Sequence, residues 1–159
     1  MILVVLGTHE LPFCRLLKEI DKQIAAGNIK EEVVVQAGHT KYKSKNMNIF
    51  DFTTYEQMAE LYRNANYIIT HGGTGSITMG MKIGKKVIAV PRLIKYSEHN
   101  DDHQLEIVKQ FQETGHILYW NEPMDLTDVI RLVESFQPAR FESGNKKILS
   151  LIRDFIDGV

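Results

Sequence analysis

The stretch "NYIITHGGTGSITMGMKIGKKVIAVP", Asn66 to Pro91, decides how the rest of the chain is read. It opens on one apolar run, "NYIIT" (66–70), and closes on another, "KKVIAVP" (85–91). Between them a glycine-rich loop, "HGGTGS" (71–76), feeds a helical segment that stops near Gly84. Strand, helix and strand in that order make a crossover unit of a parallel sheet. Gly72, Gly73 and Gly75 raise a second question, because so much glycine loosens a backbone that elsewhere follows ordinary patterns. The loop is either a tight turn that packs helix on strand or a cradle for a phosphate.

The alternation extends in both directions. "ILVVL" (2–6), "VVVQAG" (33–38), "NIFDF" (48–52) and "HILYW" (116–120) are further short strands, and continuous apolar runs suit strands covered on both faces. Phe13, Leu16, Leu17, Ile20 and Ile24 recur at helical spacing, with Pro12 in the first turn and Gly27-Asn28 at the end. Thr54 and Gln57 form a capping-box pattern ahead of Met58, Leu61 and Tyr62. Three more helical stripes follow: Leu105, Val108 and Phe111; Leu126, Val129, Ile130 and Val133; and Ile148, Ile152, Phe155 and Ile156. This pattern predicts an α/β fold with a doubly wound, Rossmann-like, mostly parallel six-stranded sheet in the order 3-2-1-4-5-6. Strands 1 and 4 then meet at the switch point. The loops "GTHELP" (7–12) and 71–76 line one cleft there, with the loop after strand 5 beside them.

Composition narrows the function classes. The 159 residues fit a single domain, 1–159, and the apolar share of 43% and charged share of 25% are those of an ordinary globular protein. A net charge of -1 gives no electrostatic basis for a nucleic-acid partner. Cys14 is the only cysteine, which suits a reducing, cytoplasmic setting. No run approaches the roughly 20 apolar residues of a membrane span, and the first strand lacks the basic flank of a signal peptide. Membrane contact is therefore expected to come through a partner.

A glycine turn at a helix N-terminus presents unpaired N–H groups and the positive end of the helix dipole to an anion. Thr74 and Ser76 add hydroxyls, and a diphosphate fits that chemistry. The dinucleotide fingerprint is missing after the first strand, and "GMKIGKK" has neither the spacing nor the hydroxyl of a Walker loop. NAD enzymes and nucleoside triphosphatases are thereby disfavoured. The loop after strand 5, 92–100, and the helix start behind it carry Glu98, His99, Asp101, Asp102, His103 and Gln104. Carboxylates and amides at a cleft edge suit polyol hydroxyls, although a solvated helix start has the same composition. His99 and His103 have the i, i+4 spacing of a zinc pair on one helix face, but no third ligand is evident, and no metal is expected.

Taken together, "GTHELPF", "ANYIITHGGTGSI", "GKKVIAVPR" and "KYSEHNDDHQ" resemble the C-terminal, donor-binding half of GT-B glycosyltransferases of family 28, in particular the stand-alone Alg13/PssE/EpsF-like subunits. The resemblance covers nearly the whole chain. It implies that Gly7 and Thr8 form one wall of the site, and that His71, Gly72, Gly73, Thr74, Gly75 and Ser76 meet the donor diphosphate. It also implies that Glu98, Asp102 and Gln104 serve the sugar. His71 would donate to the leaving phosphate, and His9 is the candidate general base. Relatives place a glutamate eight residues after the loop histidine to hold the ribose, and Met79 stands there instead. The implied activity is transfer of a hexose from a UDP-sugar to a lipid-linked saccharide acceptor in polysaccharide biosynthesis, without a metal cofactor. The implied setting is the cytoplasmic face of the membrane, with a membrane-anchored Alg14/PssD-like subunit supplying the acceptor half. A non-catalytic regulatory or stabilising subunit is the alternative.

Overall fold

The computed structural model describes residues 1–142 and 144. In chain order the elements are β1 (Ile2–Val5), α1 (Cys14–Ala25), β2 (Val33–Gln36), β3 (Asn48–Phe50), α2 (Tyr55–Asn64) and β4 (Tyr67–His71). They continue with α3 (Thr74–Lys82), β5 (Lys86–Val90), α4 (His103–Glu113), β6 (Leu118–Tyr119) and α5 (Leu126–Ser135). Every strand pair is parallel, and the order is β3-β2-β1-β4-β5-β6, as the sequence predicts. Ile2 and Val5 of β1 face Tyr67 and Thr70 of β4 in register, which puts the carboxyl ends of both strands side by side.

Two apolar layers hold the sheet. Ile2, Val4, Leu6, Val33, Val35 and Ile69 face Leu16, Leu17 and Ile20 of α1 and Val129 and Val133 of α5. The intervening residues Leu3, Val5, Val34 and Ile68 face Tyr62 of α2, Ile77 and Met81 of α3 and Val108 of α4. Burial on both faces explains the unbroken apolar runs. Each such side chain contributes about 1.5–3 kcal/mol relative to exposure, so strands of four residues suffice.

The boundaries differ from the sequence reading where tertiary bonds intervene. The first helix begins at Cys14 rather than Pro12, because the Phe13 N–H donates to Thr40 Oγ1 at 3.0 Å and ties that segment to the loop after β2. β4 runs on to His71, which pairs with Val90. The helix expected around Ile148–Ile156 lies outside the described residues. Among the described residues no helix is long and apolar enough to cross a membrane.

Two adjacent lysines fasten helices on opposite faces of the sheet. Lys85 Nζ donates to the carbonyls of Arg63 and Ala65 at the end of α2, both at 2.6 Å. Lys86 Nζ donates to Val133 and Glu134 at the end of α5, at 2.7 and 2.8 Å. Each ammonium meets the negative end of a helix dipole and satisfies carbonyls left open there.

Gly80 sets how closely α3 approaches the sheet: a Cβ there would stand 2.7 Å from Val87 Cγ2 and 3.2 Å from Ile68 Cδ1. Alanine is the better helix former by about 1 kcal/mol. Crowding against stiff β-branched neighbours costs about 1–3 kcal/mol and wins. Gly80→Ala is therefore expected to lower the urea midpoint; a midpoint at or above that of the parent would show that the helix can back away freely.

Candidate functional site at the switch point

His71 is the last residue of β4, and its ring occupies a slot made by two glycines. A Cβ on Gly7 would lie 2.6 Å from His71 Cε1, and one on Gly73 would lie 2.2 Å from His71 Nε2. Gly7 also has φ +75, and its N–H and C=O are clamped by the Gln36 amide at 3.1 and 3.0 Å. Gly72 answers to a different neighbour: its Cβ would meet Gln104 Cβ at 2.7 Å. The glycines at 7, 72 and 73 therefore serve packing within the protein. Gly75 does not, since a Cβ there would meet nothing within 4 Å.

That open position lies in the first turn of α3. Gly73 is the N-cap and offers no side chain, whereas α2 is capped by Thr54 and α5 by Asp125. The N–H groups of Thr74, Gly75 and Ser76 have no backbone or side-chain acceptor among the described residues. Unpaired donors at the positive end of a helix, beside open space, make an anion site. Next to it is a cavity of about 230 Å³ lined by Gly7, Thr8, Gly75, Ser76 and Met79, with Val5, Gln36, Phe52, Thr53, Met58 and Tyr62 behind them. The structure thus brings Gly7, Thr8, Gly75 and Ser76 together as the sequence predicts. Gln36, Phe52, Thr53, Met58 and Tyr62 went unnoticed. The signal was available, because the segment after strand 3 ends at the same sheet edge as loops 7–12 and 71–76. A larger cavity of about 570 Å³ lies apart from the glycine loop, against α1 and Tyr96. Its walls are bonded to each other through Arg15–Glu98 and Tyr96–Glu122.

Several expected roles are corrected by the hydrogen bonds. Glu98 is 2% exposed, and both of its oxygens are taken: Oε1 by Arg15 Nε at 2.9 Å, and Oε2 by Arg15 Nη2 at 3.0 Å and Leu93 N at 3.2 Å. It anchors the loop after β5 and cannot serve sugar hydroxyls in this arrangement. Gln104 Oε1 accepts from Gly72 N at 3.0 Å and Arg92 N at 3.1 Å, which leaves only its NH2 for a ligand. Asp102 is exposed and uses Oδ1 to accept from Ile94 N at 3.0 Å, so Oδ2 stays open. α4 begins at His103, so His99 belongs to the preceding loop and the two histidines do not share a helix face. Instead His99 Nδ1 sits 3.1 Å from Asp101 Oδ1.

The two candidate catalytic histidines also change character. His71 Nδ1 lies 3.3 Å from the Val5 carbonyl, which can only accept, so the ring proton resides on Nδ1. Burial pushes its pKa down to about 4, and Arg92, His99 and His9 add to the shift against the bond to Val5. A neutral ring with a lone pair on Nε2 does not donate to a phosphate. The geometry assigns His71 the task of holding Gly7 and Gly73 apart at a fixed distance. His9 Nδ1 accepts the Leu11 N–H at 3.1 Å, so its neutral form carries the proton on Nε2. That tautomer is a donor and lacks the free lone pair of a general base.

The model of the glycosyltransferase family 28 C-terminal domain matches residues 1–159. The UDP-N-acetylglucosamine transferase subunit ALG13 of Candida glabrata is 30% identical over 105 residues, which are 65% of this chain and 50% of that protein. The protein of the same description from Candida albicans is 29% identical over 80 residues, 50% of this chain and 26% of its own length. This chain thus spans about half or less of the curated relatives it matches. Among solved structures, an NMR structure of ALG13 aligns with a TM-score of 0.57 at 18% identity, over 94% of this chain and 93% of that one. The calicheamicin glycosyltransferase CalG4 aligns at 0.59 and 16% identity, over 84% of this chain and 32% of that one. At such identities the structures speak to the fold, which is the Rossmann-like half of a GT-B architecture.

The depressed His71 pKa has a measurable sign. The unfolded chain, with histidine near 6.5, binds the proton first as pH falls, so stability is full above about 6.5 and is lost toward 4. Gly73→Ala is expected to displace the ring and to move the His71 titration, followed by NMR, up toward 6.5. It should also flatten the loss of urea stability between pH 7 and pH 4.5. An unshifted titration in a folded variant would show that the slot does not set the ring's environment.

Proposed function

The chain belongs to the glycosyltransferase family 28 C-terminal-domain family, and on that premise we propose that it is the donor-binding part of an inverting UDP-sugar glycosyltransferase. The acceptor is a lipid-linked saccharide, and the chain works with a membrane-anchored, Alg14/PssD-like subunit at the cytoplasmic face of the membrane in polysaccharide assembly. The observation that carries this reading is the uncapped first turn of α3, open at Gly75 and continuous with a cavity whose far wall is apolar. Diphosphate oxygens meet the three N–H groups. The nucleoside extends over Met79 and Met58 toward Phe52, and the hexose lies toward Asp102 and the NH2 of Gln104. The ALG13 relatives are UDP-N-acetylglucosamine transferase subunits, which favours UDP-N-acetylglucosamine as donor.

In the reaction the bond from the anomeric carbon to the diphosphate oxygen breaks, and the acceptor hydroxyl attacks from the opposite face. Its proton passes to a general base. Negative charge grows on the leaving UDP, where helix N–H groups stabilise it more strongly than in the ground state. No metal is needed for that stabilisation in this proposal. His9 is a donor and the neutral His71 ring is packed between Gly7 and Gly73, and in this reading the base comes from the acceptor subunit. This division supports a heteromer. Turnover by the reconstituted pair separates this reading from a subunit that only stabilises its partner.

Gly75→Ala gives the decisive test, because the added methyl has room and sits in a helix. The expected result is a stability equal to or up to about 1 kcal/mol above the parent, together with loss of UDP binding in titration calorimetry. UDP, UDP-glucose, UDP-galactose and UDP-N-acetylglucosamine all failing to bind the unaltered chain at millimolar concentration would sink the proposal. Gln104→Ala is expected to weaken UDP as well as UDP-sugars, since the carbonyl oxygen holds Gly72 in place. Loss confined to the sugar would show that the NH2 alone matters.

A further inference from the structure

Every crossover of the sheet carries a helix except the one from β2 to β3, where the chain runs as an open segment, 37–47. That segment is laid along α1. Thr40 Oγ1 accepts from Phe13 N at 3.0 Å just ahead of the helix, and Cys14 Sγ lies 4.0 Å from the Lys41 carbonyl. Two turns further on, the Asp21 carboxylate accepts from Tyr42 Oη at 3.1 Å, Ser44 Oγ at 2.9 Å and Asn46 Nδ2 at 2.7 Å. Burial raises the Asp21 pKa, but the bonds from Asn46, Ser44 and Tyr42 outweigh it and hold the carboxyl below its usual range.

This pin decides which side chains face water. Extended backbone sends alternate side chains to opposite sides, so drawing Tyr42 and Ser44 in toward Asp21 turns Lys41 and Lys43 outward. Lys45 follows at the bend, and all three lysines are exposed. The helix adds two more. Cys14 and Asp21 mark the side of α1 that borders the segment, and Lys18 stands between them at helical spacing, with Lys22 one turn later. Both are exposed. Lys22 pairs with Glu19 at 3.4 Å and Lys41 with Asp51 at 2.7 Å, but such exposed pairs hold little energy. Lys18, Lys43 and Lys45 pair with no carboxylate among the described residues. On a chain whose net charge is -1, the lysines gathered here are a local positive excess. The neighbouring Arg15 takes no part, being committed to Glu98. Lysine ammonium groups are hydrated point charges without the fork that grips one fitted anion, and they suit a diffuse layer of anionic headgroups.

We propose that Lys18, Lys22, Lys41, Lys43 and Lys45 form a docking face for a membrane surface rich in anionic lipid. The choice of a membrane rests on the lipid-linked acceptor of the function proposed above, which puts the reaction at a bilayer. Lys41 joins this face to the donor site, because its partner Asp51 precedes Phe52 in the wall of the cavity beside Gly75. The contact is reversible and electrostatic. Each lysine near such a surface raises partitioning about fivefold, and added salt screens the attraction. The anchored subunit supplies the attachment, and the basic face sets which side of this chain meets the headgroups.

The test is co-sedimentation of the full chain, at low salt, with vesicles of phosphatidylcholine alone or mixed equally with phosphatidylserine. The expected result is binding to the mixed vesicles only, lost at high salt. Combining Lys18→Gln, Lys43→Gln and Lys45→Gln is expected to lower that partitioning by up to about a hundredfold, while UDP binding and the urea midpoint stay as in the parent. Combining Lys30→Gln, Lys82→Gln and Lys109→Gln removes the same charge elsewhere on the surface and should leave partitioning nearly unchanged. Equal losses in the two triple variants would overturn the face by reducing it to net charge. Tighter binding to polyadenylate than to the mixed vesicles would overturn it in favour of nucleic acid. UDP binding without vesicle binding would sink the docking face and leave the donor reading standing; vesicle binding without UDP binding would do the reverse.

Discussion

The arrangement at the carboxyl edge of the sheet depends on one buried guanidinium. Arg92 is 1% exposed, and it donates to Leu6 O at 2.9 Å, Leu11 O at 2.7 Å and Glu98 O at 3.2 Å. Those carbonyls belong to the end of the first strand, the loop that follows it and the loop after β5. Burying a cation costs several kcal/mol unless partners replace its water. Here burial lowers the pKa to about 10, with Glu98 working against the shift, and the group stays charged at neutral pH. Phe13 lies under it, with its centroid 4.8 Å from the guanidinium carbon. The chain must therefore bring three carbonyls to one point, and doing so fixes how the loops after β1 and β5 meet.

Around this centre the polar residues divide into those that hold the loops and those left for a ligand. Gln36 clamps Gly7, Gln104 joins Gly72 to Arg92, and Glu98 pairs with Arg15. Each has a side chain that would look suited to hydroxyls or phosphate if only its type were known. What remains open is short: the first N–H groups of α3, one oxygen of Asp102, the NH2 of Gln104 and the Nε2–H of His9. The supports Gln36, Glu98 and Gln104 are buried while the unpaired groups are open, the arrangement expected of a site on a rigid scaffold.

The topology was legible in the sequence because it rests on periodicity. "ILVVL" is too short for a helix and suits a strand covered on both faces, and alternation with helical stripes leaves few sheet orders, of which 3-2-1-4-5-6 is the commonest. The cleft followed from that order, and so did the glycine loop at its edge. Individual roles were less legible, because a residue type does not name its partner. Nothing around Glu98 in the sequence points to Arg15, which lies far back in α1. Nothing near His71 announces that its proton faces Val5. The His9 tautomer depends on a backbone N–H and cannot be read from spacing at all. Met79 was noticed as a departure, while Phe52 and Met58, which share its cavity, escaped because apolar residues are ordinarily assigned to the core.

Glycine is commonly read as a mark of mobility, and a loop with three of them as a hinge. Here the His71 ring fills the room that the missing side chains of Gly7 and Gly73 leave, and the Gln104 backbone and Cβ fill that beside Gly72. The freedom glycine has in an unfolded chain is absent once these neighbours are in place. Loop 71–76 and the segment after β1 consequently move as one piece, and rotation about the glycines cannot swing one away from the other without expelling the imidazole. Exchange of a ligand at this site must take place over a stationary floor, and whatever opens and closes above it lies outside loop 71–76 and the segment after β1.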